Sequence, residues 1–269
     1  MRALETAQFH DADKYSSYLS TPAGRLRIEL AWENLRRFLP ADAVRRRVLD
    51  VGGGAGSICL RLAKMEFQVV LLDSAEEMLG IAKKEAEASG IATRISFHHA
   101  DANRLQELFE AASFDLVVCH NLLEYVADPA AIAAKIAHVL RKDAVASFVT
   151  RNRAGEVLKA AIKSGDWALA KENLSGESVL DSLYGKPVRV FEPRDIIEML
   201  ARSGLEPIAL YGIRVFSDHR DPKDLADEVA YQQILQLELL LGAKPEFAGI
   251  ARYTQVIARL ANGSQEKRS

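Results

Sequence analysis

The chain has 269 residues, 49% of them hydrophobic, and a formal net charge of -2. That is enough apolar material for one large domain, or for a core with an elaborated cap. It also supplies no global basic field to draw the protein to nucleic acid or to an anionic membrane, which leaves room only for a local patch. The two cysteines, Cys59 and Cys119, lie in apolar segments. They read as small buried hydrophobes in a reducing compartment, too few for a disulfide framework or a structural zinc site. Residues 1–10 are polar and mixed in charge, without an apolar signal core, and no later run is long enough to span a membrane. The expected location is cytoplasmic, and no metal is expected.

In chain order, residues 13–39 read as helical, with Ile28, Leu30, Ala31, Leu35 and Phe38 on one apolar face before Pro40. Residues 15–24 read as loop-like, broken by Pro22 and Gly24. Strand and helix then alternate: 47–51, 57–65, 68–72, 75–89, 95–98, 103–110, 114–119, 130–140 and 144–150. Such alternation implies a parallel sheet covered by helices on both faces. Past 150 the alternation stops. Residues 151–190 carry a helix near 154–163, a shorter one near 166–172 and a loop rich in Gly, Ser and charge, which together suggest a cap or lid. A helix over 193–203 closes at Gly204, a strand follows over 206–216, and a long amphipathic helix spans 222–241. The last strand, 252–260, is expected to pair antiparallel with 206–216. The division is thus an N-terminal helical segment (1–44), a cofactor core (45–150), a cap (151–190), a C-terminal part with an inserted helix and strand pair (191–261), and a flexible tail (262–269).

The stretch from Val48 to Ser57 is the most informative. An apolar strand ends in Asp50-Val51, and Gly52, Gly53, Gly54 and Gly56 lead into a helical pattern. Missing Cβ atoms let a ligand lie against the backbone. Dinucleotide enzymes use G-x-G-x-x-G to face a pyrophosphate; here the spacing is G-x-G-x-G behind an acid. S-adenosylmethionine (SAM) has no phosphate but has an amino acid end and a sulfonium, and an acidic loop suits it better. Asp73 ends the next strand, where an acid accepts from both ribose hydroxyls. It is also open to a plainer reading, since Ser74 and Glu77 have capping-box spacing. The same unit supplies Ser74 and Met78. Asp101 and Ala102 follow the third strand, where an adenine would sit, or Asp101 is a simple turn acid.

These motifs, with Phe114-Asp115-Leu116-Val117, resemble the class I SAM-dependent methyltransferases over about residues 45–150. The resemblance implies a Rossmann-like α/β fold: a mostly parallel seven-stranded sheet with an antiparallel last strand. The periphery is similar to the tRNA methyltransferases that esterify 5-carboxymethoxyuridine at the wobble position (the CmoM type). The similar stretches are Gly24-Arg25-Leu26-Arg27, Leu123 to Pro129, Gly212 to Asp218, and Gly249 to Tyr253. That likeness implies that Arg27 reaches the SAM carboxylate and that His120 lines the cofactor site. Two departures stand out. The family's lysine-rich cap is matched here by the acidic stretch Ser175 to Ser182, and the loop Ser20 to Ala23 lacks the lysine expected before Gly24. Both weaken the case for a polyanionic substrate.

Several residues have two readings. Arg27 is a carboxylate clamp or a solvated helix cation. His120 is a general base or, the favoured reading, a packing partner for the methionine end. Tyr125 and Glu124 lie nearby, Glu124 at an exposed helix start. Arg214, inside an apolar strand, is an anchor for a substrate carboxylate or the partner of Asp218, Asp195 or Glu238 in an ion pair. Arg151 and Arg153 are placed to hold the same anion or a phosphate. A carboxylate acceptor needs no base, and no Asn-Pro-Pro-Tyr tetrad follows strand 114–119, which argues against methylation of a base amine. The function expected is carboxyl O-methylation of a tRNA wobble uridine. The alternatives are a small-molecule acceptor and a non-catalytic SAM-binding protein. A basic track from Arg25 and Arg37 past Arg151 and Arg153 would favour tRNA as partner.

Overall fold

The structure, a computed structural model, describes residues 12–181 and 183–261. The expectations for residues 1–10, for Ser182 and for the tail 262–269 lie outside the described residues. Two helices open the fold, α1 (Ala12–Leu19) and α2 (Pro22–Leu35), where a loop over 15–24 was expected. Pro22 starts α2 instead of breaking it, because the first helical turn has no use for its missing N–H. Thr21 caps that turn, its hydroxyl accepting from Gly24 N at 3.0 Å. A Cβ on Gly24 would lie 2.1 Å from Tyr18 O, so the bare glycine is what lets α1 close onto α2.

The core follows the expected alternation: β1 (Arg47–Val51), α3 (Cys59–Lys64), β2 (Gln68–Asp73), α4 (Glu76–Ala88), β3 (Ile95–His99), α5 (Leu105–Leu108), β4 (Phe114–His120), α6 (Pro129–Val139) and β5 (Leu140–Arg151). β5 begins earlier than the sequence suggests, since α6 runs straight into it and Leu140 pairs with Phe114 before the register shifts. The region after it is richer than expected. α7 (Arg153–Leu158) continues as a turn of π-helix over 159–163, then α8 (Trp167–Ser175) follows. The presumed loop holds a small hairpin, β6 (Ser178–Leu180) with β7 (Pro187–Arg189). Val179 and Val188 of that hairpin, with Val190 just after it, pack with Tyr125.

α9 (Pro193–Arg202) leads into β8 (Leu205–Ile213). β8 stops before Arg214, which lies beyond the strand with a left-handed backbone, φ 62°. The expected helix over 222–241 is two, α10 (Pro222–Ala226) and α11 (Glu228–Gly242), because the Asp227 side chain caps the second by accepting from Ala230 N at 2.8 Å. A short α12 (Pro245–Ala248) precedes β9 (Tyr253–Leu260).

Seven strands form one sheet in the order β3-β2-β1-β4-β5-β9-β8. β9 runs antiparallel to both of its neighbours, and the other six share a direction. β1 and β4 are buried along almost their whole length, which explains their continuous apolar runs, since helices cover both sheet faces. One apolar cluster centres on α6 and α9, the other on α3 and α4. Cys59 and Cys119 are fully buried, and burial raises both thiol pKa values. Asp115 of the Phe-Asp-Leu-Val motif sits at the far end of β4, where it ties Arg46, Arg141 and the Arg47 N–H together at 2.6–2.9 Å.

Strand polarity decides where side chains meet. The carboxyl ends of β1, β2, β4 and β5 share one edge. Because β9 is antiparallel, its beginning, Arg252-Tyr253, lies at that same edge, with Tyr253 between Arg151 and Ile213 in the register. The turn after β8 is held from below by Glu238 of α11. This fully buried carboxylate accepts from Val215 N at 2.6 Å, Phe216 N at 3.1 Å and Ser217 N at 2.8 Å. Glu238 therefore pairs with backbone, not with Arg214. We expect Glu238→Ala, which strands several buried N–H groups, to lower unfolding free energy by about 2–4 kcal/mol. Urea denaturation of the two proteins checks this.

Candidate functional site

A cavity of about 530 Å³ opens at this edge of the sheet. At one end its wall is Gly52, Gly54, Leu72, Asp73, Ser74, Met78, Ala100, Asp101 and Ala102. These come from the loops after β1, β2 and β3, the three parallel strands whose motifs the sequence singles out. Gly52 and Gly54 take left-handed φ values of 68° and 54°, which bends the loop away and bares its backbone. Gly53 and Gly56 do not line this cavity. A Cβ at Gly53 would strike Leu71 and the Asp50 carboxyl, so that position keeps the loop tight over the strand.

Asp73 does not share in a Ser74–Glu77 capping box. The N-cap of α4 is Ala75, with no side-chain cap, because Asp73 itself takes the Ala75 N–H at 2.8 Å. Its other oxygen takes Gly54 N at 2.8 Å. One carboxylate thus pins the glycine loop to the start of α4, and each oxygen keeps a lone pair for a ligand. Burial raises its pKa, opposed by these backbone bonds. Asp101 is both wall and turn acid, since it accepts from Asn103 N at 2.7 Å.

Asp50 lies beneath the loop, in the wall of a second, water-sized cavity shared with Arg27, Gly52, Gly53, His120 and Asn121. Burial pushes its pKa up to about 7.

The middle of the cavity is polar. Arg27 is buried, not a solvated helix cation. It donates to Asn121 Oδ1 at 2.8 Å and stacks over Tyr18. Asn121 adopts φ 56° and donates in turn to Glu124 at 2.8 Å. Arg25, two residues from Arg27, points outward to Glu228 at 2.9 Å. His120 lies 2.8 Å from Ser147 Oγ. Burial, with Arg27 nearby, lowers its pKa to about 3. It is a neutral ring at pH 7 and a weak base, which suits packing better than proton abstraction.

The other end gathers Tyr125, Arg151, Lys159, Lys163, Asp181, Arg214, Asp218, Arg252 and Tyr253. Arg151 is not available to an anion. It is buried against Glu124 at 3.3 Å, Glu156 at 2.8 Å and Asp181 at 2.5 Å. Glu124 is accordingly in the interior, only 1% exposed, and not at an exposed helix start. Asp181, from the acidic stretch, turns inward to Arg151 and does not oppose a substrate. Arg153 pairs with Glu192 at 2.9 Å, and Arg37 stacks on Tyr211. The basic track imagined through Arg25, Arg37, Arg151 and Arg153 is therefore not built from those residues.

Arg214 lies in the cavity wall, paired with Asp218 and donating to Tyr18 Oη at 3.2 Å. Arg252 pairs with Glu156 at 2.9 Å. Arg214 Nε, Arg252 Nε and Arg252 Nη1 carry no hydrogen bond among the described residues. Arg252, Tyr253, Tyr18, Asn121, Lys159 and Lys163 were given no site role from the sequence, although Arg252 and Tyr253 lie in one of the similar stretches. The expected antiparallel last strand was the signal for the first two, because it carries residues 252 and 253 to the ligand edge. Tyr125 is half-buried, and its burial with Glu124 nearby raises its phenol pKa.

The chain matches the family described as "Methyltransferase domain" over residues 44–187. The chain belongs to that methyltransferase family. It is a SAM-dependent methyltransferase, and the glycine loop, Asp73 and a cavity of this size suit that cofactor. The tRNA 5-carboxymethoxyuridine methyltransferase of Escherichia coli (strain K12) is 29% identical over 95% of this chain and 97% of its own length. A ubiquinone biosynthesis O-methyltransferase of Sinorhizobium medicae is 36% identical over 60% of each chain. A SAM-dependent methyltransferase structure from Thermotoga maritima, a possible histamine N-methyltransferase, shares the fold. Its TM-score is 0.62 at 14% identity, over 93% of this chain and 97% of that one. No helix among the described residues is long and apolar enough to cross a membrane.

Two outcomes follow for the methyltransferase. Asp73→Ala should weaken SAM binding by about 1–3 kcal/mol through lost hydrogen bonds, read by calorimetry. For Asp50, a folded pKa near 7 against an ordinary 3.8 means that its burial costs stability as pH rises from about 4 to 7, where the folded state keeps the proton longer. Asp50→Asn should therefore gain in melting temperature over the parent across that interval, and hold the gain above pH 7.

Proposed function

We propose that the methyltransferase esterifies a carboxylate acceptor, the 5-carboxymethoxyuridine at the wobble position of tRNA. The observation that carries this reading is Arg214, a buried guanidinium in the cavity wall whose Nε has no acceptor among the described residues, together with a histidine that burial makes a weak base at pH 7. A carboxylate is already ionised at that pH and needs a cationic cradle, not a base. The near full-length similarity to the E. coli enzyme supports the same acceptor.

In this reading Asp73 takes the ribose hydroxyls. Ser74, Met78, Asp101 and Ala102 surround the adenine. Gly52 and Gly54 offer bare backbone. Arg27 faces the cofactor's carboxylate, and His120 with Asn121 borders its methionine end. Asp50, Gly53 and Gly56 act one layer back, by holding the loop. Bound SAM supplies a methyl group on a sulfonium leaving group. The protein's own part is alignment, which contributes on the order of 7–11 kcal/mol. Tyr18 and Asp218 orient the Arg214 fork, and Arg214 holds the acceptor carboxylate in line. Tyr125, kept protonated, packs the cap hairpin over the site. Residues 151–190 form the cap on the acceptor side.

A second reading takes a small phenolic acceptor, as the likeness to ubiquinone O-methyltransferases suggests. The observation favouring it is Lys159, whose pKa burial and then Arg252 lower to about 8, within reach of a general base.

Mass spectrometry of tRNA nucleosides from cells with and without the gene tests the acceptor: the esterified uridine should vanish in the deletion. Between pH 6 and 7.5 a carboxylate acceptor gives a flat single-turnover rate. A Lys159 base gives a rate that climbs about tenfold per pH unit below its pKa. Arg214→Lys should keep SAM affinity and cut turnover by tenfold or more, since the fork is lost while the charge stays. A large fall in melting temperature with normal turnover per folded molecule would instead make Arg214 purely structural.

A further inference from the structure

We propose that Lys163 and Arg252 form a second anion subsite in the acceptor end of the cavity, one that takes a phosphoryl group carried by the acceptor. This deepens the carboxylate reading above by assigning the acceptor a second negative group. Around this end the cations are Arg151, Lys159, Lys163, Arg214 and Arg252, and the carboxylates are Glu124, Glu156, Asp181 and Asp218. Arg151 is saturated by three of those carboxylates. Arg214 is held by Asp218 and Tyr18. Arg252 shares Glu156 with Arg151, and its Nε stands 3.9 Å from Asp218, beyond hydrogen-bond reach. It is 6% exposed, yet Nε and Nη1 have no acceptor among the described residues. A buried guanidinium with two unfilled N–H positions in a cavity wall is an uncompensated cost unless a ligand fills them.

The place of Arg252 is fixed by its neighbours' backbone. Its N–H donates to Arg214 O at 2.9 Å and its carbonyl accepts from Asn152 N at 3.1 Å. The main chain is thereby held at the cavity wall, and the Glu156 pair at 2.9 Å holds the guanidinium there. Lys163 is the cation with no carboxylate. It ends the π-helical turn 159–163, lines the same cavity, and makes no ion pair among the described residues. The π turn packs on residues 217–219, the turn that follows Arg214. That brings Lys163 toward the arginine pair; burial first, and then Arg214 and Arg252, lower its pKa. π-Helical turns recur at functional sites. Lys163 as a flexible point charge beside a planar guanidinium is the combination that suits tetrahedral phosphoryl oxygens. A carboxylate on Arg214 would leave both groups over.

The test uses protein saturated with S-adenosylhomocysteine and probes that carry no carboxylate. Inorganic phosphate is followed by phosphorus NMR line broadening. Saturable binding is expected, weakened at least tenfold in Lys163→Gln, restored by Lys163→Arg, and kept within twofold in Arg214→Lys. The last variant separates the two ideas, because loss of the carboxylate anchor leaves phosphate binding in place. Uridine 5′-monophosphate and the dinucleotide uridylyl-(3′→5′)-uridine then identify the source. Lys163-dependent binding of the first points to a free nucleotide, and of the second to a polynucleotide backbone. Absence of saturable phosphate binding, equal binding in Lys163→Gln, or no Lys163-dependence with either nucleotide would overturn the subsite.

Discussion

A single buried guanidinium organises the working edge of this methyltransferase. Arg151 ends β5 inside the protein, where an unpaired charge would be prohibitive. It is neutralised by Glu124 from the loop after β4, Glu156 from α7 and Asp181 from the cap hairpin. Three separate segments are thereby drawn to one point. The cap is fixed to the sheet, Tyr125 is enclosed by its hairpin, and Glu156 is left to bridge onward to Arg252 at 2.9 Å. Removing one partner would strand charge for all the others, so the cluster behaves as a unit.

Arg151 being occupied in this way is what gives the remaining cations their roles. Arg214 and Arg252 approach the cavity from β8 and β9, and neither has its hydrogen-bonding filled. The left-handed backbone at Arg214 is a strained position for a large side chain. It is sustained from outside the site, by Glu238 gripping the next three N–H groups and by Arg252 N on the Arg214 carbonyl. The inserted helix α11 thus contributes to the site without touching it.

The two ends of the cavity are built by different physics. The cofactor end rests on backbone: glycines with positive φ, and a carboxylate holding two N–H groups. The arginine-rich end rests on side-chain charge in a low-dielectric setting, with His120 between the two. That division matches a reaction in which the donor is already activated and the acceptor mainly has to be held.

Much of the cofactor end was legible in the sequence because its signals are local. A strand, a glycine turn and a helix start lie within a dozen residues, and Asp73 ends the second strand while Asp101 follows the third, so chain order alone put them together. The sheet direction followed from alternation. Other readings failed where the deciding contact was distant. Pro22 and Gly24 read as breakers because nothing local shows α1 packed on α2. Ser74 read as a cap because nothing local shows Asp73 taking the Ala75 N–H. Glu124, Asp181 and Arg151 read as surface or ligand groups because their mutual burial joins segments 27 and 30 residues apart. What the sequence by itself determined is the alternating α/β pattern and the glycine loop, set by short-range periodicity and turn chemistry; the antiparallel last strand was read from the family resemblance, not from periodicity. Which arginine is consumed in the interior and which keeps unfilled N–H groups in the cavity wall was decided only by tertiary structure, because the pairing of buried charges depends on which segments the sheet brings within a few ångströms.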